Sequence, residues 1–114
     1  DGHAAAMRVL DVPPSRRPTA LFAVCDRVAA GALLAAARLG ASVPEDLSII
    51  GFDDQEALAE SLVPPLTTVA LPHALMGQTA VELALAAARG ERPDPSRRVL
   101  SCPLVVRGST ARPR

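Results

Sequence analysis

The stretch Val43 to Val69, VPEDLSIIGFDDQEALAESLVPPLTTV, constrains the fold more than any other part of the chain. A short apolar run bounded by turn residues marks a strand buried in a sheet, and Leu47 to Phe52 is such a run, closed by Asp53-Asp54. A short helix is expected from about Gln55 to Ser61. Pro64-Pro65 then stops the helix, because proline lacks the N–H a helix needs. Leu66 to Val69 follows as another strand.

The same strand-then-acid pattern occurs one unit earlier. Ala20 to Val24, ALFAV, is continuously apolar, which predicts a parallel strand covered on both faces. Cys25-Asp26 closes it, and a helix is expected from about Arg27 to Leu39, with Gly40 in the left-handed position that ends helices. Upstream, His3 to Leu10 reads as the end of a helix cut off by Pro13-Pro14. Downstream, a helix is expected from about Ala74 to Arg89, then a solvated loop from Glu91 to Arg98. Val99-Leu100 and Leu104 to Val106 are strand-like, and the tail from Gly108 is expected to fray. Strands alternating with helices through short loops predict an α/β fold with a parallel, Rossmann-like sheet and right-handed crossovers.

Composition narrows the function classes. The chain has 114 residues, 49% of them apolar but only 2% aromatic, so the core must be built from Ala, Val, Leu and Ile. Formal charge is zero and the arginines are scattered, so no face gathers the positive charge that a phosphate backbone demands. The chain by itself is a poor nucleic-acid binder. Its apolar runs are short and broken by Arg or Gly, which leaves no membrane-spanning segment and no membrane partner. Cys25 and Cys102 lie far apart, so reduced thiols rather than a disulfide or metal site are expected. There is no Ser/His/Asp arrangement, no metal-spaced cluster and no glycine-rich phosphate loop. The expectation is a non-enzyme without a cofactor.

In open parallel sheets, ligands bind beyond the carboxyl ends of the strands. Cys25-Asp26 and Asp53-Asp54 would share that rim, where a carboxylate can accept hydrogen bonds from vicinal hydroxyls. The competing reading is helix capping. Asp26 suits an N-cap, and Asp53 with Glu56 three residues on makes an aspartate version of the capping box. Spacing alone favours capping for both acids, and the two roles can coexist across an Asp-Asp pair. His73 follows the third strand, where a lone histidine is ordinarily a surface or linker residue.

The run from Pro18 to Pro93, with VPEDLSIIGFDD and PPLTTV as its most specific parts, resembles the effector-binding domain of LacI/GalR-type bacterial transcription regulators, and LVVRGST looks like that family's closing strand. The resemblance implies a periplasmic binding protein-like fold in which two Rossmann-like subdomains close on a small effector, usually a sugar or nucleoside-like molecule. It places residues 1–72 in the C-terminal subdomain, residues 73–98 in a crossover carrying a helix of the N-terminal one, residues 99–107 in return strands and residues 108–114 in a tail. The DNA-binding headpiece is expected outside this chain, so DNA would be reached only through it. By the same resemblance Asp53 matches an aspartate that binds effector hydroxyls, leaving Asp54 and Glu56 to start the helix. Asp26 positions the strand-to-helix turn. Cys25 stands where sugar-responsive members often have Asn, and His73 where a cleft-lining side chain often sits. Ala29, Ala30, Leu33 and Leu34, with Glu56, Leu58 and Ala59, match the dimer surface, and ordinary core packing competes for that helix face.

The function so implied is the ligand-sensing and dimerising part of a cytoplasmic regulator that controls DNA binding allosterically. The alternative is a periplasmic sugar-binding protein of an ABC transporter. A chain with an open sheet edge and an uncovered apolar face is also expected to self-associate, or to swap its Ala74 to Arg89 helix, and to bind sugars feebly by itself.

Overall fold

The computed structural model describes residues 1–91 and 97–112. The elements run α1 (Gly2–Leu10), β1 (Ala20–Phe22), α2 (Asp26–Arg38), β2 (Ser48–Asp53), α3 (Leu58–Ser61), β3 (Thr67–Ala70), α4 (His73–Ala88) and β4 (Leu104–Val105). They divide into two compact units, Asp1–Ala70 with Pro103–Arg114, and Leu71–Cys102.

In the larger unit the four strands form one sheet in the order β1-β2-β3-β4. β1, β2 and β3 are parallel, with Leu21 beside Ile49 and Gly51 beside Thr68. β4 runs antiparallel to β3, with Val105 beside Thr68. The α/β, parallel-dominated architecture is therefore the expected one.

One face of this sheet carries the core. Leu47, Ile49 and Leu66 are fully buried among Ala29, Leu33, Ala35, Ala36 and Ala59. Small side chains allow close approach of elements: a Cβ at Gly31 would stand only 2.5 Å from the backbone nitrogen of His3, so α1 and α2 meet nearly backbone to backbone. α2 ends as expected, with Gly40 at φ 66° and Ala41 N–H donating to the Ala36 carbonyl, the pairing of a Schellman cap.

The other face departs from expectation. Phe22 and Val24 are 64% and 76% exposed, so β1 is covered on one face only. On that side Phe22 meets Phe52 edge-on, ring centres 6.3 Å apart. An apolar run can be read as doubly covered only when a second layer is present, and this unit has helices on one side.

The tail is a second correction. Ser109 does not fray but is completely buried. Its hydroxyl donates to the Ile49 carbonyl at 2.6 Å and accepts from Thr67 N–H at 2.8 Å, while its own carbonyl accepts from Ile49 N–H. It fills the gap between β2 and β3 where β3 has only just begun. Ala111 is tied on by Ser48 Oγ; residues 113–114 lie outside the described set.

In the smaller unit α4 spans His73–Ala88 and ends at Gly90, φ 74°. Val99 and Leu100 form no strand, and residues 92–96 of the expected loop lie outside the described residues.

Candidate functional site

The turn after β1, the carboxyl end of β2 and Thr68 of β3 meet at a polar group built around Asp26. That residue was expected to cap α2. It is instead the first residue inside the helix; Cys25 holds the cap position, and no side-chain cap bond is made. Asp26 points across the sheet and is completely buried. One carboxylate oxygen accepts from the Thr68 hydroxyl of β3 at 2.6 Å, the other from the Gln55 backbone N–H at 2.7 Å. A buried carboxylate survives only with such donors.

Gly51 makes this possible. Any Cβ there would collide with Asp26 Oδ1 and with the Leu66 side chain. A glycine inside a strand often marks close approach of another group, and here the group is a carboxylate seated in a notch of β2.

Beyond the notch the backbone turns sharply. Asp53 lies at φ 106° and Asp54 at φ 50°, a region that costs non-glycine residues on the order of 1 kcal/mol or more. The turn is held by Gln55 N–H on Asp26 and by a long 3.4 Å contact from Asp54 N–H to Thr68 Oγ1. Asp53 is half-buried, yet its Oδ1 is shut off from solvent and has no hydrogen-bond partner among the described residues. Burial raises the Asp53 carboxyl above its ordinary pKa. The Asp26 charge raises it further, against the pull of the Asp26 and Gln55 backbone N–H groups.

The expected capping box is absent. α3 starts only at Leu58, after Ala57 at φ 63°, and no side chain caps it. Four residues give it little scope to begin earlier, because the strained turn occupies the positions that would have nucleated its first turn. Asp54 instead forms an ion pair with Arg107 at 2.8 Å, and Glu56 is exposed. The Arg107 guanidinium also donates to the Leu66 carbonyl and to Glu60, and its backbone N–H donates to Thr67 Oγ1. The Asp54 hydrogen bond raises the Arg107 pKa, outweighing its burial.

Of the residues singled out from sequence, Asp26 and Asp53 come together, with half-buried Cys25 next in chain. Asp26, having both oxygens engaged and no exposed surface, is enclosed support rather than a ligand-facing group. His73 opens α4 in the other unit and is exposed. Of the residues expected at a dimer surface, Ala29, Leu33 and Ala59 are core; small residues on an amphipathic helix suit a core as well as an interface. Ala30 and Leu58 are half-buried, while Leu34, at 65%, is exposed beside Val63, at 91%. Gly51, Gln55, Thr68 and Arg107 had no place in the expected site. Only Gly51 carried a signal, as a lone glycine in a strand.

The comparisons agree with this fold. The family described as "Periplasmic binding protein-like domain" matches residues 1–110. The HTH-type transcriptional repressor CytR of Escherichia coli is 44% identical over 109 residues, 96% of this chain, which spans 31% of that protein's length. Among solved structures, a CelR–cellobiose complex, CelR being a transcriptional regulator, is similar at TM-score 0.84 and 37% identity over 95% of this chain and 32% of that one. The dimeric Lac repressor is similar at TM-score 0.87 and 33% identity over 99% of this chain and 40% of that one. No described helix is long and apolar enough to cross a membrane. The chain belongs to the periplasmic binding protein-like domain family, in the form carried by LacI/GalR-type regulators.

Proposed function

We propose that this chain is the effector-sensing part of a transcription regulator, with Asp53 as its main acceptor for ligand hydroxyls. The observation that carries the reading is Asp53 itself: a carboxylate in a strained turn at the carboxyl end of β2, with one oxygen lacking a donor. Natural folds leave few buried polar atoms unpaired, and strain of this kind gathers at functional positions. A polyol offers hydroxyl donors to this half-buried carboxylate, through a side-chain rotation that brings the enclosed oxygen out to the ligand. The similarity to CelR in complex with cellobiose supports a sugar as the class of effector, and the similarity to CytR supports control of transcription. Because the relatives are transcriptional regulators and repressors, the transporter alternative is not carried further.

The mechanism is a population shift. An effector that binds one arrangement of the sensing domain more tightly than another displaces the equilibrium by that difference in affinity, and a DNA-binding headpiece elsewhere in the protein reads the result. Such a regulator works in the cytoplasm, where its operator is. Cys25 and His73 are secondary candidates for ligand contact. A second copy of the chain is the proposed partner for the surface of exposed Leu34 and Val63 with half-buried Ala30, and Leu58 and Glu56 are proposed for the same interface; the similarity to a dimeric Lac repressor supports this.

A thermal-shift screen of sugars and nucleosides on the intact protein, repeated with Asp53→Ala, tests the site. The expected hit raises the melting temperature of the natural protein and leaves the variant unmoved. A hit that shifts both equally removes Asp53 from the site.

A further inference from the structure

We propose that Asp26 is a positioning residue for Asp53: seated in the notch at Gly51, its carboxylate holds the Asp53–Gln55 turn in the left-handed conformation that the effector site requires. This rests on the reading of Asp53 as the hydroxyl acceptor and adds what keeps it in place.

Among the described residues, two backbone N–H groups of the turn are bonded by side chains, and both bonds lead to Asp26. Gln55 N–H donates to Asp26 Oδ2 directly at 2.7 Å. Asp54 N–H reaches Thr68 Oγ1 at 3.4 Å, and that hydroxyl donates to Asp26 Oδ1 at 2.6 Å. Positive φ at two successive aspartates is unfavourable locally, so something outside the turn must impose it. α3 bonds the turn at the Gln55 carbonyl, through Leu58 and Ala59 N–H, past the two positive-φ residues, and β3 meets Asp53 in ordinary parallel register, so neither imposes the left-handed conformation. The Arg107–Asp54 ion pair fixes the Asp54 side chain but bonds no backbone group of the turn. That leaves Asp26. Its place is specific, because the space it fills exists only where β2 lacks a Cβ. Removing its charge while keeping its shape should also act on Asp53, whose carboxyl feels that charge. Among the described residues, the other charged groups around this turn are Asp54 and Glu60, both engaged by Arg107, and the exposed Glu56.

The test uses three variants of the 114-residue chain, read by NMR: HN–Hα couplings of Asp53 and Asp54, amide exchange of Gln55, and pH titration of the Asp53 carboxyl. Asp26→Asn can keep both bonds, accepting from Gln55 N–H and donating to Thr68. It should leave the couplings and the exchange unchanged and move the Asp53 titration down toward the ordinary carboxylate range, a change that a merely structural role would not produce. Asp26→Ala should speed Gln55 exchange about tenfold or more, the loss of a charge-assisted hydrogen bond, and shift both couplings. Should Asp26→Ala fail to fold, Thr68→Val removes one tether and should still shift the Asp54 coupling. Unchanged couplings and exchange in Asp26→Ala, or an unmoved Asp53 titration in Asp26→Asn, overturns the proposal. These readouts need no effector, so they stand or fall separately from the ligand screen on Asp53.

Discussion

At the scale of single residues, the site spends stability. Asp53 is half-buried next to Asp26 with an oxygen unpaired, and its folded-state pKa lies above its ordinary value. The sign of the pH dependence follows. At pH above the folded pKa the ionised carboxylate penalises the fold. As pH falls through that value the folded state takes up its proton before the unfolded state does, and the penalty disappears below the unfolded pKa. Asp53→Asn is therefore expected to raise stability near neutral pH, with the gain shrinking to nothing in acid, as urea denaturation at a series of pH values would record. Asparagine also tolerates positive φ, so the backbone should not oppose the change. Gly51→Ala is expected to act in the opposite direction. Its new methyl overlaps Asp26 Oδ1, and overpacking of this kind costs about 1–3 kcal/mol, measurable in the same denaturation experiment.

Among the elements, the C-terminal segment after β4 has the largest unexpected role. A run reading GSTARPR has no hydrophobic period, so nothing local separates a tether from a loose end. Ser109 settles it by bonding β2 and β3 at once. Ser109→Ala leaves Thr67 N–H unpaired in a buried place and is expected to cost about 1–3 kcal/mol, seen as a lower urea midpoint with unchanged slope. Thr67 and Thr68 teach the same lesson. Both are buried and hydrogen-bonded to distant partners, whereas in sequence they read only as strand residues. The strands and helices themselves were legible, because apolar runs and helix-ending glycines are local signals. β1, predicted to be doubly covered, shows the limit: apolarity records that a strand wants cover, not that cover is present.

For the molecule as a whole, two apolar surfaces point outward from the larger unit. One is the sheet face bearing Phe22 and Val24, the other the strip with Leu34 and Val63. Exposed apolar patches of this kind mark interaction surfaces. Sedimentation of the 114-residue chain is expected to show self-association, and Leu34→Glu in the intact protein is expected to weaken the proposed dimer by about tenfold or more, a buried charge being costly at an apolar contact. A monomer in the first experiment, or an unchanged dimer in the second, would remove these surfaces from the account.

The strand-turn-helix order, the α/β class and the proposal of Asp53 as a ligand acceptor came from the sequence, since each depends on patterns within a few residues or on a motif, VPEDLSIIGFDD, that is contiguous. What Asp26 does was decided only in three dimensions. As a residue after a strand it looked like a cap for its own helix, and capping is a local bargain that sequence can represent. Its actual partners lie 29 and 42 positions away, across two neighbouring strands and through a gap left by a missing Cβ. The tertiary structure decides such a role because it depends on which distant donors the sheet brings within reach of a carboxylate that burial leaves no water to satisfy.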